Sequence, residues 1–284
     1  MGSNDRVEAK AGSSVLETTV SGGFWLARLN RPDKRNALSD ELVDALTALF
    51  GRIGTDPDAR ALVLWGAGGH FCAGADFARF AALMDAPTAG DGPDPIAPYN
   101  RRFGTMLEAL SIVPVPTIAV VKGSAMGGGF GLAATCDRVI AQEGAVFSMP
   151  EVRIGVAPAQ IAPFVLRRLG PTRGRWLMLS GASLDAAAAL ESGLADVVTN
   201  AADLRATVAA TLESLAGAEP GALRTTKRIV ESAQQVPLHA ALDGAAQEFA
   251  GLLRRGAAKE GMAASRARRP PAWKSTVPDL PAFD

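Results

Sequence analysis

The stretch PTIAVVKGSAMGGGFGLAATC, residues 116–136, passes from a strand to a helix through a run of glycines. Pro116 to Val121 is short, continuous and apolar, the composition of a strand buried on both faces. Five of the nine residues from Gly123 to Gly131 are glycine, so backbone N–H groups there can approach a ligand that side chains would keep away. The apolar run Leu132 to Cys136 is compatible with a helix, and amides at a helix start sit at its positive end. A second loop of this kind, GAGGHFCAGAD at residues 66–76, follows the apolar run Ala61 to Trp65. Either loop alone reads equally well as a turn. Two of them, each after a core strand, point to a ligand site.

Outward from these loops, Val15 to Val20 and Phe24 to Leu29 predict two strands joined through Ser21-Gly22-Gly23. Ser39 reads as a helix N-cap with Asp40 and Glu41 in the first turn, and Leu42, Leu46, Leu49 and Ile53 follow at helical spacing. Strand and helix signals alternate to about residue 200, which predicts α/β layers. Beyond it Asp203 to Ala216, Gly221 to Ala233 and Leu238 to Arg255 read as helices ahead of a basic tail. The expected division is therefore 1–200 for the core and 201–284 for a helical region. Thr88 to Pro98, rich in proline, glycine and aspartate, predicts a mobile surface loop.

The 284 residues suffice for one large domain with a smaller appendage. Lys plus Arg and Asp plus Glu both number 29, so no net field draws the chain to nucleic acid or anionic lipid. Cys72 and Cys136 are too few for a disulfide framework, and with His70 and His239 they offer no metal-ligand spacing. Met1 to Ser14 lacks the apolar core of a signal peptide, and no run approaches a membrane span, so a cytoplasmic protein is expected. Gly129, Gly131 and Ala134 satisfy a dinucleotide-binding G-x-G-x-x-A, but Lys122 to Gly128 separate them from the strand, and no βαβ unit begins the chain.

Arg31-Pro32, Asn36-Ala37-Leu38, Phe71 to Asp76, Gly127-Gly128-Gly129 and Met149-Pro150-Glu151 occur in that order. Ile154-Gly155, Leu169-Gly170, Gly193-Leu194-Ala195 and Glu260-Gly261-Met262 continue it. In this ordered combination the chain resembles the crotonase (enoyl-CoA hydratase/isomerase) superfamily over most of its length. The resemblance implies an α/β spiral of ββα units with a C-terminal helical region that trimerises. It implies an acyl-CoA thioester substrate, no cofactor apart from the coenzyme A carried by that substrate, and a homotrimer or dimer of trimers. By motif position the amides of Ala75 and Gly128 resemble the family's oxyanion hole, and Glu151 its general acid/base. Two fixed donors stabilise an enolate oxygen without reorganising, and losing one such donor typically costs about 2.7–4 kcal/mol. The same motifs set Ala37, Ala73, Gly127 and Gly131 along the substrate, and Lys34 and Arg35 where cations suit the CoA phosphates. Asp76 is expected to brace its loop through backbone N–H groups. Glu151 has a plainer reading as a helix-start carboxylate.

The chain departs from the pattern at Gly131, where typical hydratases of this kind carry a second glutamate. A single glutamate is also the isomerase pattern, for moving a 3-enoyl double bond to the 2-position. The run from Gly127 to Leu132, with Pro150 to Pro163, looks most like bacterial hydratases of branched glutaconyl-CoA esters, which favours water addition. Gln160 is a candidate to position that water or a surface amide. For a second substrate carboxylate, Arg79, Arg101, Arg102 and Arg153 are equivalent candidates. His70, Phe71 and Cys72 are assigned to packing. Arg254 to Lys274 holds seven basic residues against one acidic, but Trp273 is its only aromatic, so RNA binding is disfavoured.

Overall fold

The computed structural model describes residues 15–84 and 94–284. Strands β1 (Leu16–Ser21) and β2 (Phe24–Leu29) form the expected hairpin, and α1 (Asp40–Thr55) leads to β3 (Ala61–Gly66). After α2 (Phe77–Met84) and α3 (Ile96–Ser111), β4 (Thr117–Val121), β5 (Ser124–Met126) and α4 (Gly128–Thr135) make one ββα turn. The next turn is β6 (Arg138–Gln142), β7 (Val146–Ser148) and α5 (Ala162–Ser180); β8 (Ser183–Asp185), α6 (Ala186–Ser192) and β9 (Val197–Thr199) follow. Helices α7 (Leu204–Ala216), α8 (Pro220–Ala233), α9 (Leu238–Arg254) and α10 (Ala257–Arg266) come last.

Two sheets result. The larger has the order β1-β2-β3-β4-β6-β9, parallel from β2 onward, and the smaller has the order β5-β7-β8. Alternation along each strand sorts side chains to opposite faces. Trp25, Ala27, Leu29, Leu62, Leu64, Ala119 and Val121 join the core between the sheets and helices α1, α3, α4 and α5. Phe24, Leu26, Val63, Trp65, Ile118 and Val120 face the other way, against Leu204, Val208 and Leu212 of α7 and Leu280 and Phe283 of the tail. Both faces of the sheet are covered, which is why its strands read as unbroken apolar runs.

Ser39 caps α1 by accepting from the Leu42 amide at 3.3 Å, and Leu42, Leu46, Leu49 and Ile53 are buried as their spacing predicts. Two readings need correction. The loop expected over Thr88–Pro98 is helical from Ile96, with Pro98 in the first turn of α3, where a missing N–H breaks no helix bond; the Asp94 carboxylate accepts from the Ile96 amide at 2.8 Å. Residues 88–93 of that loop, like Met1 to Ser14, lie outside the described residues. The basic tail also contains α10, stapled by Glu260, which pairs with Arg269 and accepts from the Ala272 amide. Among the described residues no helix is long and apolar enough to cross a membrane.

Candidate active site

The two glycine-rich loops leave neighbouring parallel strands at the same sheet end, and cross-links hold them together. Cys72 donates its amide to Ser124 O, and Met126 donates to Cys72 O at 2.9 Å. Their backbones are so close that a Cβ on Gly74 would lie 3.3 Å from the Gly128 nitrogen. A third segment braces the first loop from outside. Asn36, fully buried, accepts from the Arg31 amide and donates to Ala67 O and His70 O, while Leu38 N donates to Gly74 O. Asp76 ion-pairs with Arg31 at 3.1 Å, tying this loop to the first.

The consequence is a pair of free donors. No group among the described residues accepts from the amide of Ala75 or of Gly128, and both residues line a cavity of about 340 Å³. Gly128 is the first residue of α4, so its amide is one of the four N–H groups that a helix leaves unsatisfied.

Glu151 enters the same cavity from the short 3₁₀ turn Glu151–Ile154 that follows β7. Its Oε1 lies 2.7 Å from where a Cβ on Gly127 would stand, and Gly127 has φ +49°. Only glycine meets both conditions without strain. Oε2 is enclosed with no hydrogen-bond partner among the described residues. Burial pushes the carboxyl above the ordinary carboxylate range, opposed in part by a bond from its own backbone amide. A carboxyl whose charged form burial disfavours, beside two anion-seeking donors, is suited to taking and returning a proton.

The structure brings Ala73, Ala75, Gly127, Gly128, Glu151 and Gln160 together on the cavity wall. Gly131 does not reach it. The space beside Gly131 is taken by Ile161, whose Cγ2 would lie 2.2 Å from an added Cβ. Lys34 and Arg35 are exposed on the turn before Leu38, and neither they nor Ala37 lines the cavity. Asp76 likewise stands behind the wall. Phe71 and Cys72 are fully buried, burial holds the Cys72 thiol up at about 12, and His70 Nδ1 meets the Ser124 hydroxyl at 3.0 Å, all consistent with packing.

Helix α3 supplies wall residues that the sequence did not mark: Tyr99, Asn100 and Phe103, with Phe80 of α2 stacked edge-on against Tyr99. Their signal was hidden behind the prolines of residues 93–98. Of the arginines proposed for a substrate carboxylate, Arg102 reaches the cavity, already bound by Asp40 and Asp44. Arg101 pairs with Glu108, and Arg153 bonds to Ser180 O; the Arg79 side chain lies outside the described residues.

Residues 19–276 match the family described as Enoyl-CoA hydratase/isomerase. The "Probable enoyl-CoA hydratase echA8" of Mycobacterium tuberculosis is 35% identical over 244 residues, covering 86% of this chain and 91% of that protein. Among solved structures, an enoyl-CoA hydratase/isomerase from Marinobacter aquaeolei superposes with a TM-score of 0.88 at 38% identity, over 93% of this chain and all of that one. Pseudomonas aeruginosa AtuE gives 0.87 at 38% identity, over 92% of this chain and all of its own. Sequence, fold and the order of the site-bearing loops thus agree along nearly the whole chain, which belongs to the enoyl-CoA hydratase/isomerase family.

Proposed function

We propose that the protein adds water to the double bond of a 2-enoyl-CoA thioester, with the Ala75 and Gly128 amides holding the thioester oxygen and Glu151 moving the protons. The observation that carries this reading is the meeting, in a single cavity, of two amides and one enclosed carboxyl oxygen that have no partner among the described residues. As ionised Glu151 takes a proton from water, the water oxygen bonds to C3 and the π pair moves through C2 to the carbonyl oxygen. The two amides receive that charge. Glu151 then returns its proton to C2. Every atom is accounted for by substrate and water, so the step asks for no cofactor.

Isomerisation of a 3-enoyl to a 2-enoyl ester is the second reading, favoured by Ile161 sealing the place of a second carboxylate. The finer resemblance to hydratases of branched glutaconyl esters asks for a seat for a second carboxylate, and the arginine on the wall is engaged. Phe80, Met84, Phe103, Ile154 and Val156 give that wall an apolar stretch, which suits a branched hydrocarbon chain. Straight, branched and carboxylated 2-enoyl-CoA esters, followed by loss of conjugated thioester absorbance, test the reading. Loss that falls at least a hundredfold in Glu151→Ala is expected, within the range of general acid/base catalysis, about 10²–10⁴. No loss with any ester, alongside conversion of a 3-enoyl ester, would establish the isomerase instead.

For assembly we propose the trimer or dimer of trimers, built on the C-terminal helices. Helix α9 buries none of its own side chains, and Leu238, Leu242, Phe249 and Leu253 stand exposed along it, more apolar surface than a lone chain usually leaves wet. We propose a cytoplasmic setting, supported by two buried free thiols, and no nucleic-acid role.

A further inference from the structure

The cavity carries a second polar device besides Glu151. Gln160, in the loop before α5, donates from Nε2 to Asn100 Oδ1 at 2.8 Å. That bond fixes which way the amide faces, leaving Oε1 as an acceptor to which no group among the described residues donates. The head of the amide rests against α3 at Gly104, where a Cβ would meet Oε1 at 1.9 Å and Cδ at 2.9 Å. Gly104 is buried in mid-helix, a position where glycine is less favourable than alanine. The helix gains nothing locally from it; the space it leaves is filled by the Gln160 amide. Asn100 and Gly104, four residues apart, share one face of α3 and together form a seat for that amide.

We propose that Gln160 is the second catalytic contact to the attacking water, and that Asn100 is its positioning residue; this rests on the hydratase reading above. A water donating one hydrogen to Glu151 and the other to Gln160 Oε1 has its lone pair free to aim at C3. With one acceptor alone it could rotate away. Gln160 exchanges no proton, so Glu151 remains the only acid/base. The amide thus takes over the orienting half of the work that a carboxylate at position 131 would do, where Ile161 fills the space.

The test separates water addition from enolate formation. Removal of the α-proton from a saturated acyl thioester uses Glu151 and the two amides but no nucleophilic water. Hydration of crotonyl-CoA and exchange of the α-hydrogens of butyryl-CoA in D2O, followed by NMR, are measured for the wild type, Gln160→Ala, Gln160→Glu and Asn100→Ala. We expect Gln160→Ala to lose at least tenfold in hydration kcat, with KM and exchange rate each within threefold of wild type. Asn100→Ala should show the same split at smaller size, and Gln160→Glu, which keeps an acceptor, should recover most of the hydration rate. Equal loss of hydration and exchange would mark Gln160 as structural and overturn the proposal, as would wild-type hydration in Gln160→Ala. A wild type that exchanges but never hydrates would overturn the hydratase reading itself, and the role of Gln160 with it.

Discussion

Burial makes the charged form of Glu151 the costly one. Its folded-state pKa lies above the ordinary carboxylate range, so its contribution to stability is most favourable below the unfolded pKa and declines as pH rises through the folded value. Glu151→Gln, neutral at every pH, escapes that decline. Its melting temperature should match the wild type near pH 4 and exceed it at pH 8, as calorimetry can check; no gap at pH 8 would mean that the carboxyl is solvated. The same shift should place the acid limb of the hydration rate above that of an unperturbed glutamate. At Gly131 the prediction concerns space. Gly131→Glu alone should lower stability by about 1–3 kcal/mol, the usual range for overpacking, because Ile161 occupies the site. The pair G131E with I161G should recover most of that loss in a denaturant titration. That Glu151 and the two amides share one cavity was legible because residue type and glycine placement mark them. Ile161 was not, since an apolar residue next to a proline-rich loop carries no mark of what it displaces.

Helix α3 is clasped to α1 by Arg102, which meets Asp40 and Asp44 where both helices border the cavity. An ion pair this exposed contributes little to stability, so Asp44→Ala should change unfolding free energy by less than about 1 kcal/mol. Its effect belongs to the wall. Part of the Arg102 charge is released, and KM for carboxylated 2-enoyl esters should fall relative to neutral esters of the same length; an unchanged ratio would show that the arginine does not look into the acyl site. Strands β1 to β4, α1 and α7 could be found from their apolar pattern, because burial imposes it, whereas α8 and α9 carry apolar residues at helical spacing that this chain leaves largely exposed. Helices α3 and α10 were missed for opposite reasons. Prolines are tolerated in a first helical turn, and α10 buries only Ala264, which leaves almost no apolar signature.

The outer face of the large sheet is closed by α7 and by the tail, whose Phe283 is fully buried edge-on against Trp65 at 5.3 Å between ring centres. Phe283→Ala should cost about 3–5 kcal/mol, as for other buried aromatics, and a urea titration reads it directly; a shift below 1 kcal/mol would mean that the tail contributes little to holding the face closed. That closure was not legible, since a short proline-bearing tail shows no period. Crossovers between parallel strands of L-residues are almost always right-handed, and a site built in one hand has a consequence for the product. A flat thioester whose oxygen rests on the Ala75 and Gly128 amides turns only one of its two faces toward Glu151. Oxygen at C3 and hydrogen at C2 then arrive from the same side. Hydration in D2O should therefore yield a single diastereomer, recognisable by one vicinal coupling constant, and a mixture of two would reveal a second proton source behind the substrate plane.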